Sequence, residues 1–431
     1  MKIQSKIIFV TLLSIVSLFS CREEGTIDQL DEFPDPVAQS KSLKRGVSFA
    51  YQFVEDIEIL GTGVSWSYNW GPGQSSTFDQ AMKEQQIDFC PMAWNGVNET
   101  AIREYVSRNP NTEYLLAFNE PNLVDQARMT PQEAAAKWGE VKSIADELGL
   151  KIISPAMNYG TLEGYHDPIV WLDEFFSLVP ESDIDGISIH CYMPNASALK
   201  SYVERFKKYG KPIWLTEFCA WEGHVTPESQ QRFLADAINY LESDPDIFRY
   251  AWFIPRGSGS EDAFPYMFLL KNAVDVELTS LGKVYTQMST QDKSIYYQQG
   301  QQIEAEHYTS ISVSDGVGEA GWVDGPKVRV TSEAPNNTLE LYNFLPDQWV
   351  EYQIEPLQTK TYDLEIRYAS FVDAELKIEV DGEETIYNLA NTTEDFIWNT
   401  ATIPLPLKKG KHTLRITLNE GTVCMNWLSF N

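Results

Sequence analysis

The chain has 431 residues, 43% of them hydrophobic, which is enough for one large domain or two with real cores. Its formal net charge of -29 argues against a nucleic-acid partner, whose phosphates demand Lys and Arg, and suits an exported protein with an uncharged ligand. The 12 Trp, 21 Tyr and 21 Phe supply core packing and are also the side chains that stack on the apolar faces of sugar rings.

The first residues read as a targeting segment. Lys2 and Lys6 give a positive start, and 7–19 is almost wholly apolar but short for a bilayer, so residues 1–20 are expected to be a cleaved signal. The ending Leu18-Phe19-Ser20-Cys21 resembles a bacterial lipobox. That resemblance implies a bacterial lipoprotein in which Cys21 is lipidated, with the lipid as its sole membrane contact; an ordinary cleaved signal is the alternative. Glu23 and Glu24 resemble a surface-export signal, which implies the outer membrane or cell surface, with a periplasm-facing position left open. Residues 21–43, rich in Asp, Glu, Pro and Ser, read as a flexible tether. Cys90, Cys191, Cys219 and Cys424 form no metal motif and are expected as buried free thiols, with a disulfide left open.

From Arg45 short apolar runs alternate with amphipathic stretches. The runs 46–51, 63–70, 88–94, 113–119, 151–157, 185–192, 212–219 and 249–254 read as eight buried strands. Helices are predicted over 131–148, 171–178, 198–209 and 227–241. The first of these opens on Thr130 and Pro131, with Glu133 completing a capping box, and stops before Gly149. Thr226-Pro227-Glu228-Ser229 repeats that start. Apolar strands alternating with helices indicate a parallel sheet covered by helices. Eight repeats in about 240 residues match an α/β fold of the (β/α)8 TIM-barrel kind over 44–287, closed by a helix near 280–287. Residues 288–302 are polar and read as a linker. Over 303–431 alternating strands take over, with Asp381-Gly382 as a hairpin turn, indicating an antiparallel β-sandwich.

Function in such a barrel sits where the strands end. The run Tyr114-Leu115-Leu116-Ala117-Phe118 stops at Asn119-Glu120-Pro121, and Ile213-Trp214-Leu215-Thr216 stops at Glu217. A carboxylate at the end of a buried strand is costly unless something uses it. At the ends of the fourth and seventh strands, Glu120 and Glu217 face each other across the mouth. Such a pair suits glycoside hydrolysis, one carboxyl protonating the leaving oxygen while the other attacks or activates water. Sugar contacts are expected from Trp66, Tyr68 and Trp70 after strand two and from Trp94 at the end of strand three. His190 and Tyr192 at strand six, Trp221 after strand seven and Trp252 in strand eight complete the set.

Asn119-Glu120-Pro121 with a strand-seven Glu resembles the clan of retaining barrel glycosidases. More narrowly, residues 44–287 look like glycoside hydrolase family 128, whose members cleave β-1,3-glucans. The stretches that carry this are Lys44-Arg45-Gly46, Ser65-Trp66-Ser67-Tyr68-Asn69-Trp70, Pro91-Met92-Ala93-Trp94, Phe118-Asn119-Glu120-Pro121-Asn122, Ile189-His190-Cys191-Tyr192, Trp214-Leu215-Thr216-Glu217-Phe218 and Tyr250-Ala251-Trp252-Phe253. The resemblance implies that Glu120 is the general acid/base and Glu217 the nucleophile. It also implies that Asn119 bonds the sugar 2-hydroxyl and that Tyr192 donates to Glu217. The implied activity is endo-acting, retaining hydrolysis of β-1,3-glucan by a monomer, with no cofactor for catalysis. Those roles require surroundings that keep Glu120 neutral, hydrogen bonds that keep Glu217 ionised, and carboxyl groups about 5–5.5 Å apart. A related barrel glycosidase on another β-glycan, and a catalytically idle glycan-binding lipoprotein, stay open as alternatives.

Ile303-Glu304-Ala305-Glu306-His307-Tyr308 resembles the opening of a family 6 carbohydrate-binding module. That implies a structural calcium held by Glu304 and Glu306. The family's closing Asn-x-Asp-Trp is here Cys424-Met425-Asn426-Trp427, which weakens one calcium ligand to an amide and replaces a sugar-binding Asn with Cys. Trp322 and Trp398 are candidates for a sugar platform elsewhere, and a docking or spacer sandwich is the alternative.

Overall fold

A computed structural model describes residues 40–312, 325–335 and 338–431. The signal segment, Cys21, all but the last four residues of the tether, and Trp322 lie outside them. Among the described residues the first domain holds eight parallel strands: β1 (Arg45–Ser48), β2 (Trp66–Tyr68), β3 (Asp88–Phe89), β4 (Tyr114–Leu116), β5 (Lys151–Ile153), β6 (Ile187–Cys191), β7 (Ile213–Phe218) and β8 (Ile247–Trp252). Six form one sheet in the order β3-β2-β1-β8-β7-β6, and β4 pairs with β5. Single parallel bridges, Met92 to Leu116 and Ile153 to Gly186, join the two pieces and close the barrel. The paired strands are shorter than the apolar runs, because the run ends continue as the inner walls of the mouth.

A helix follows each strand: α1 (Val54–Leu60), α2 (Ser76–Glu84), α3 (Glu99–Arg108), α4 (Pro131–Leu148), α5 (Pro168–Leu178), α6 (Ala196–Glu204), α7 (Pro227–Ser243) and α8 (Ser280–Gln287). Both reciprocal bonds of the Thr130–Glu133 box form at α4, and Gly149 closes it with φ 69°, a conformation that Cβ disfavours. Thr226 and Ser229 make the same box at α7.

Inward side chains stack in layers from strand starts to strand ends. The lowest layer gathers Trp66, Tyr114 and Trp214 around the Arg249 guanidinium, 5.1–5.4 Å from their ring centroids. Asp88 neutralises that guanidinium at 2.7 Å. Above Trp66 come Tyr68 and then Trp70, with successive centroid distances of 6.2 and 5.6 Å.

The second domain packs two antiparallel sheets. One contains β10 (Ser310–Ile311), β13 (Trp349–Ile354), β18 (His412–Glu420), β15 (Ala374–Val380) and β16 (Glu383–Leu389). The other contains β11 (Lys327–Val330), β12 (Leu339–Phe344), β19 (Val423–Phe430), β14 (Lys360–Ala369) and β17 (Asn399–Leu407), with β9 (Ile303–Glu304) on β19. Asp381 and Gly382, both at positive φ, turn β15 into β16. This domain docks on α7. Tyr308 donates to Asn239 at 2.7 Å, Lys327 pairs with Asp236 at 3.0 Å, and Gln231 donates to the Val328 carbonyl at 3.3 Å. The polar linker is itself packed: buried Arg45 donates to the Met288 and Ser289 carbonyls, and Tyr297 is buried. Cys90, Cys191, Cys219 and Cys424 are buried and unpaired.

Candidate active site

Glu217 is the fifth residue of β7, and its carboxylate is held by three donors. Tyr68 Oη and Trp70 Nε1 each reach Oε1 at 2.7 Å, and Tyr192 Oη donates to Oε2. The hydroxyls come from β2 and from the residue after β6, so three strand ends converge on one group. Glu120 lies four residues past β4. Its amide donates to the Ala156 carbonyl at 3.0 Å, and its φ of 44° turns the side chain inward. Asn158, beyond β5, donates to Glu120 Oε1 at 3.1 Å. His190 sits between the two acids, with Nδ1 2.8 Å from Glu120 Oε1 and 3.5 Å from Glu217 Oε2. One oxygen of each acid and the imidazole nitrogen all lie within 4.8 Å of one another.

Burial pushes the Tyr68 and Tyr192 hydroxyls well above their ordinary value, and the Glu217 charge adds to it, so both phenols keep their protons and donate. Glu120 behaves against the sequence expectation. Burial alone would raise its pKa, but the His190 hydrogen bond and charge, with help from Asn158, hold it below the usual value. His190 shows the converse. Burial would depress it, but Glu217 and Glu120 outweigh that and raise it. These opposite directions favour the imidazole over Glu120 as the seat of a shared proton, one short hydrogen bond away.

Several of the expected sugar contacts take these positions and others do not. Tyr68, Trp70 and Tyr192 bond Glu217 directly. Trp94 is half-buried, and its carbonyl accepts from the Asn119 amide at 2.8 Å, which sets it beside the mouth. Trp221 is 40% exposed, with its ring 6.1 Å from that of Tyr192. Asn119 donates to Gln126 at 3.2 Å and leaves its buried Oδ1 with no protein partner. Three expectations are corrected. Trp66 faces inward as alternation requires, but it lies in the bottom layer and donates to the Lys44 carbonyl. Trp252 faces outward, packs against Phe218, and donates to the Met267 carbonyl at 2.7 Å. His190 is fully buried between the acids, so it acts on them and is not a rim contact. Sequence reasoning missed Asn158, which carries no motif, and Phe253. One residue beyond Trp252, Phe253 takes the opposite face and packs against Trp70, Tyr192 and Trp221 at 5.5–6.2 Å. The alternation of strand eight could have found it.

In the second domain Glu304 and Glu306 each keep a buried Oε2 with no hydrogen-bond partner. Burial and the neighbouring Glu304 push Glu306 up to about 8. One half-buried and one buried carboxylate, each with an oxygen left unpartnered, fit a hard divalent cation such as calcium. The Asn426 amide donates to Glu333 at 2.7 Å. Trp398 is partly exposed and bonds Ser332 at 3.2 Å.

Residues 46–285 match the family described as "Glycosyl hydrolase catalytic core", and residues 327–430 match a carbohydrate-binding module of family 35, where the sequence resemblance had suggested family 6. A glycoside hydrolase family 128 (subgroup II) endo-β-1,3-glucanase from Pseudomonas viridiflava is 36% identical. The match covers 57% of this chain and 98% of that one, with a TM-score of 0.53. A second enzyme of that subgroup, from Sorangium cellulosum, is also 36% identical, covering 56% of this chain and 97% of its own, with a TM-score of 0.51. Alkali-sensitive linkage protein 1 of Schizosaccharomyces pombe is 27% identical over 210 residues, 46% of this chain, which spans just over a third (36%) of that relative. With the match to the catalytic-core family covering more than half its length, and two solved enzymes aligned over nearly all of theirs, the chain belongs to the glycosyl hydrolase catalytic-core family, in its family 128 branch, with a carbohydrate-binding module behind the barrel.

Proposed function

We propose that this chain hydrolyses β-1,3-glucosidic bonds within β-glucans by a retaining double displacement. The observation that carries the mechanism is the closeness of Glu120 and Glu217, with one oxygen of each inside 4.8 Å. Inverting enzymes hold their carboxyl groups about 6.5–9.5 Å apart to admit a water, and retaining ones about 5–5.5 Å. Glu217, held by its three donors, attacks the anomeric carbon. Glu120, loaded from His190, protonates the departing glycosidic oxygen. Water, losing a proton to Glu120, then cleaves the glucosyl–Glu217 ester. Asn119 Oδ1 is free to accept from the sugar 2-hydroxyl during both steps.

The linkage and the endo mode rest on the two subgroup II relatives, which are endo-β-1,3-glucanases. The row of aromatic rings from Trp70 through Phe253 to Trp221 suits an extended chain. Early-time proton NMR of laminarin digests tests the mechanism, with the β-anomer appearing first and oligosaccharides of mixed length forming. A first-formed α-anomer would refute retention, and glucose as the sole early product would refute endo action. On the same footing we propose calcium at Glu304 and Glu306, and a lipid anchor at Cys21. The anchor predicts that a Cys21→Ser variant moves from the membrane fraction to the soluble one.

A further inference from the structure

Two loops on the face where the strands end are tied together by one side chain that touches neither acid. Residues 219–226 join β7 to α7 and carry Trp221, and residues 253–279 join β8 to α8 and carry Phe264. Gln230, the fourth residue of α7, is fully buried beneath them. Its carboxamide oxygen accepts from the Ala220 amide at 3.0 Å. Its nitrogen donates to the Ala220 carbonyl at 2.8 Å and to the Pro265 carbonyl at 2.7 Å. A backbone amide only donates and a carbonyl only accepts, so the orientation of the carboxamide is fixed. Ala220 precedes Trp221 and Pro265 follows Phe264, so each bond sits next to an exposed aromatic. A buried amide is costly unless its hydrogen bonds are made, and α7 therefore holds both loops at one spacing.

The rings so held meet edge to face, with centroids 6.5 Å apart and planes at 85°. Both stay in water, and Phe264 is 54% exposed. Trp221 leans on Phe253 at 6.2 Å, Phe253 reaches Trp70 at 6.0 Å, and Trp70 bonds Glu217. A row of rings thus runs outward from Glu217 and ends at Phe264. The base of the second loop is fixed as well: Arg256 pairs with buried Asp56 and donates to the Asn272 carbonyl at 2.8 Å. Exposed Glu222, Glu261 and Asp262 stand close to the outer rings in sequence, which disfavours an anionic polymer. We propose that Gln230 is a positioning residue that presets Trp221 and Phe264 as an outer platform, through which the enzyme prefers long neutral glucan to short oligosaccharides. A preformed platform spares the cost of ordering two loops on binding. A ring this far out touches only substrates long enough to reach it, so it acts on KM and leaves the chemical step alone. The proposal rests on the β-glucanase reading.

The test compares full-length wild type with Phe264→Ala and Gln230→Met on laminaritriose and laminarihexaose. Expected in each variant is a rise of about tenfold in KM for laminarihexaose, with its kcat and the kcat/KM for laminaritriose unchanged. Phe264→Tyr should behave as wild type. Adding Gln230→Met to Phe264→Ala should raise KM by less than it does alone, because the two act on one platform. Equal losses on both substrates, a loss confined to kcat, or fully independent effects of the two changes would overturn the proposal. Hydrogen exchange needs no substrate: in Gln230→Met the amides of 219–225 and of 263–268 should both exchange about tenfold faster than in wild type. Acceleration of one segment alone, or of neither, would overturn the tie. Wild type that leaves both oligosaccharides intact would overturn the β-glucanase reading instead, while the exchange arm still reports on what Gln230 holds.

Discussion

Replacing His190 by Gln tests where the site keeps its proton. In the native site His190 Nδ1 lies 2.8 Å from Glu120 Oε1 and 3.5 Å from Glu217 Oε2, and the two carboxylates raise the imidazole pKa above its ordinary value. One proton shared by this trio must be present for Glu120 to act as acid. The basic limb of the rate profile therefore follows the imidazole, above its ordinary value, and not a carboxyl group. Glutamine keeps a hydrogen-bond donor but cannot store a proton, so the proton must then reside on Glu120 itself. The basic limb of kcat/KM should move to lower pH. Loss of one charge-assisted hydrogen bond is worth about 1.5–3 kcal/mol, which corresponds to a fall of roughly 10- to 100-fold in kcat/KM at neutral pH. The assay is a pH profile on laminaripentaose, with circular dichroism to show that the variant is folded. A basic limb that stays in place, or moves upward, would refute the reasoning whatever the loss in rate.

Trp66→Ala should cost about 3–5 kcal/mol of stability as a core truncation, seen as a lower Tm. Trp70→Phe should keep the Tm and lose roughly tenfold in kcat, because one donor to Glu217 disappears. Zinc or copper(II) should inhibit by taking the place of the His190 proton among three ligand atoms within 4.8 Å. That inhibition should strengthen as pH rises and be reversed by EDTA, and a pH-independent effect would count against this site. Calcium should raise the Tm of the second domain by on the order of 5–10 °C at a hundredfold excess over Kd. Because Glu306 is raised from 4.5 to about 8, its contribution in calcium-free protein is full below 4.5 and lost as pH rises through 8, so the calcium effect should grow over that window.

The barrel was legible because its signals are local. Eight apolar runs, two Thr-Pro helix starts and Gly149 each announce one element, and Ser280–Gln287 forms where the pattern placed it. Glu120 and Glu217 stood out because a charge interrupts an apolar run. What the sequence could not show is depth. Trp66, Tyr68 and Trp70 have the same spacing and face, and only the ring of strands puts one at the floor, one against Glu217 and one at the mouth. Asn158 and the bridging place of His190 depend on loops from separate strands meeting, which no spacing within one segment encodes.

The proposed division of labour between the acids follows from their unequal partners. Both are nearly buried, and burial by itself drives any carboxyl toward its neutral form. Glu217 receives two phenols and an indole, none of which can take a proton from it or give one up near neutral pH. That arrangement favours a fixed anion, which a nucleophile requires. Glu120 receives one amide and one imidazole, and the imidazole exchanges protons in the neutral range. A general acid/base must gain and lose a proton in each cycle, so the partner that lowers the resting pKa of Glu120 is also the one able to reload it. Substrate entering the mouth removes water from around the trio and neutralises no charge. Moving the proton from His190 to Glu120 turns an ion pair into two neutral groups, a change that desolvation favours. On this reasoning glucan binding itself converts the resting site, with Glu120 ionised, into the competent one.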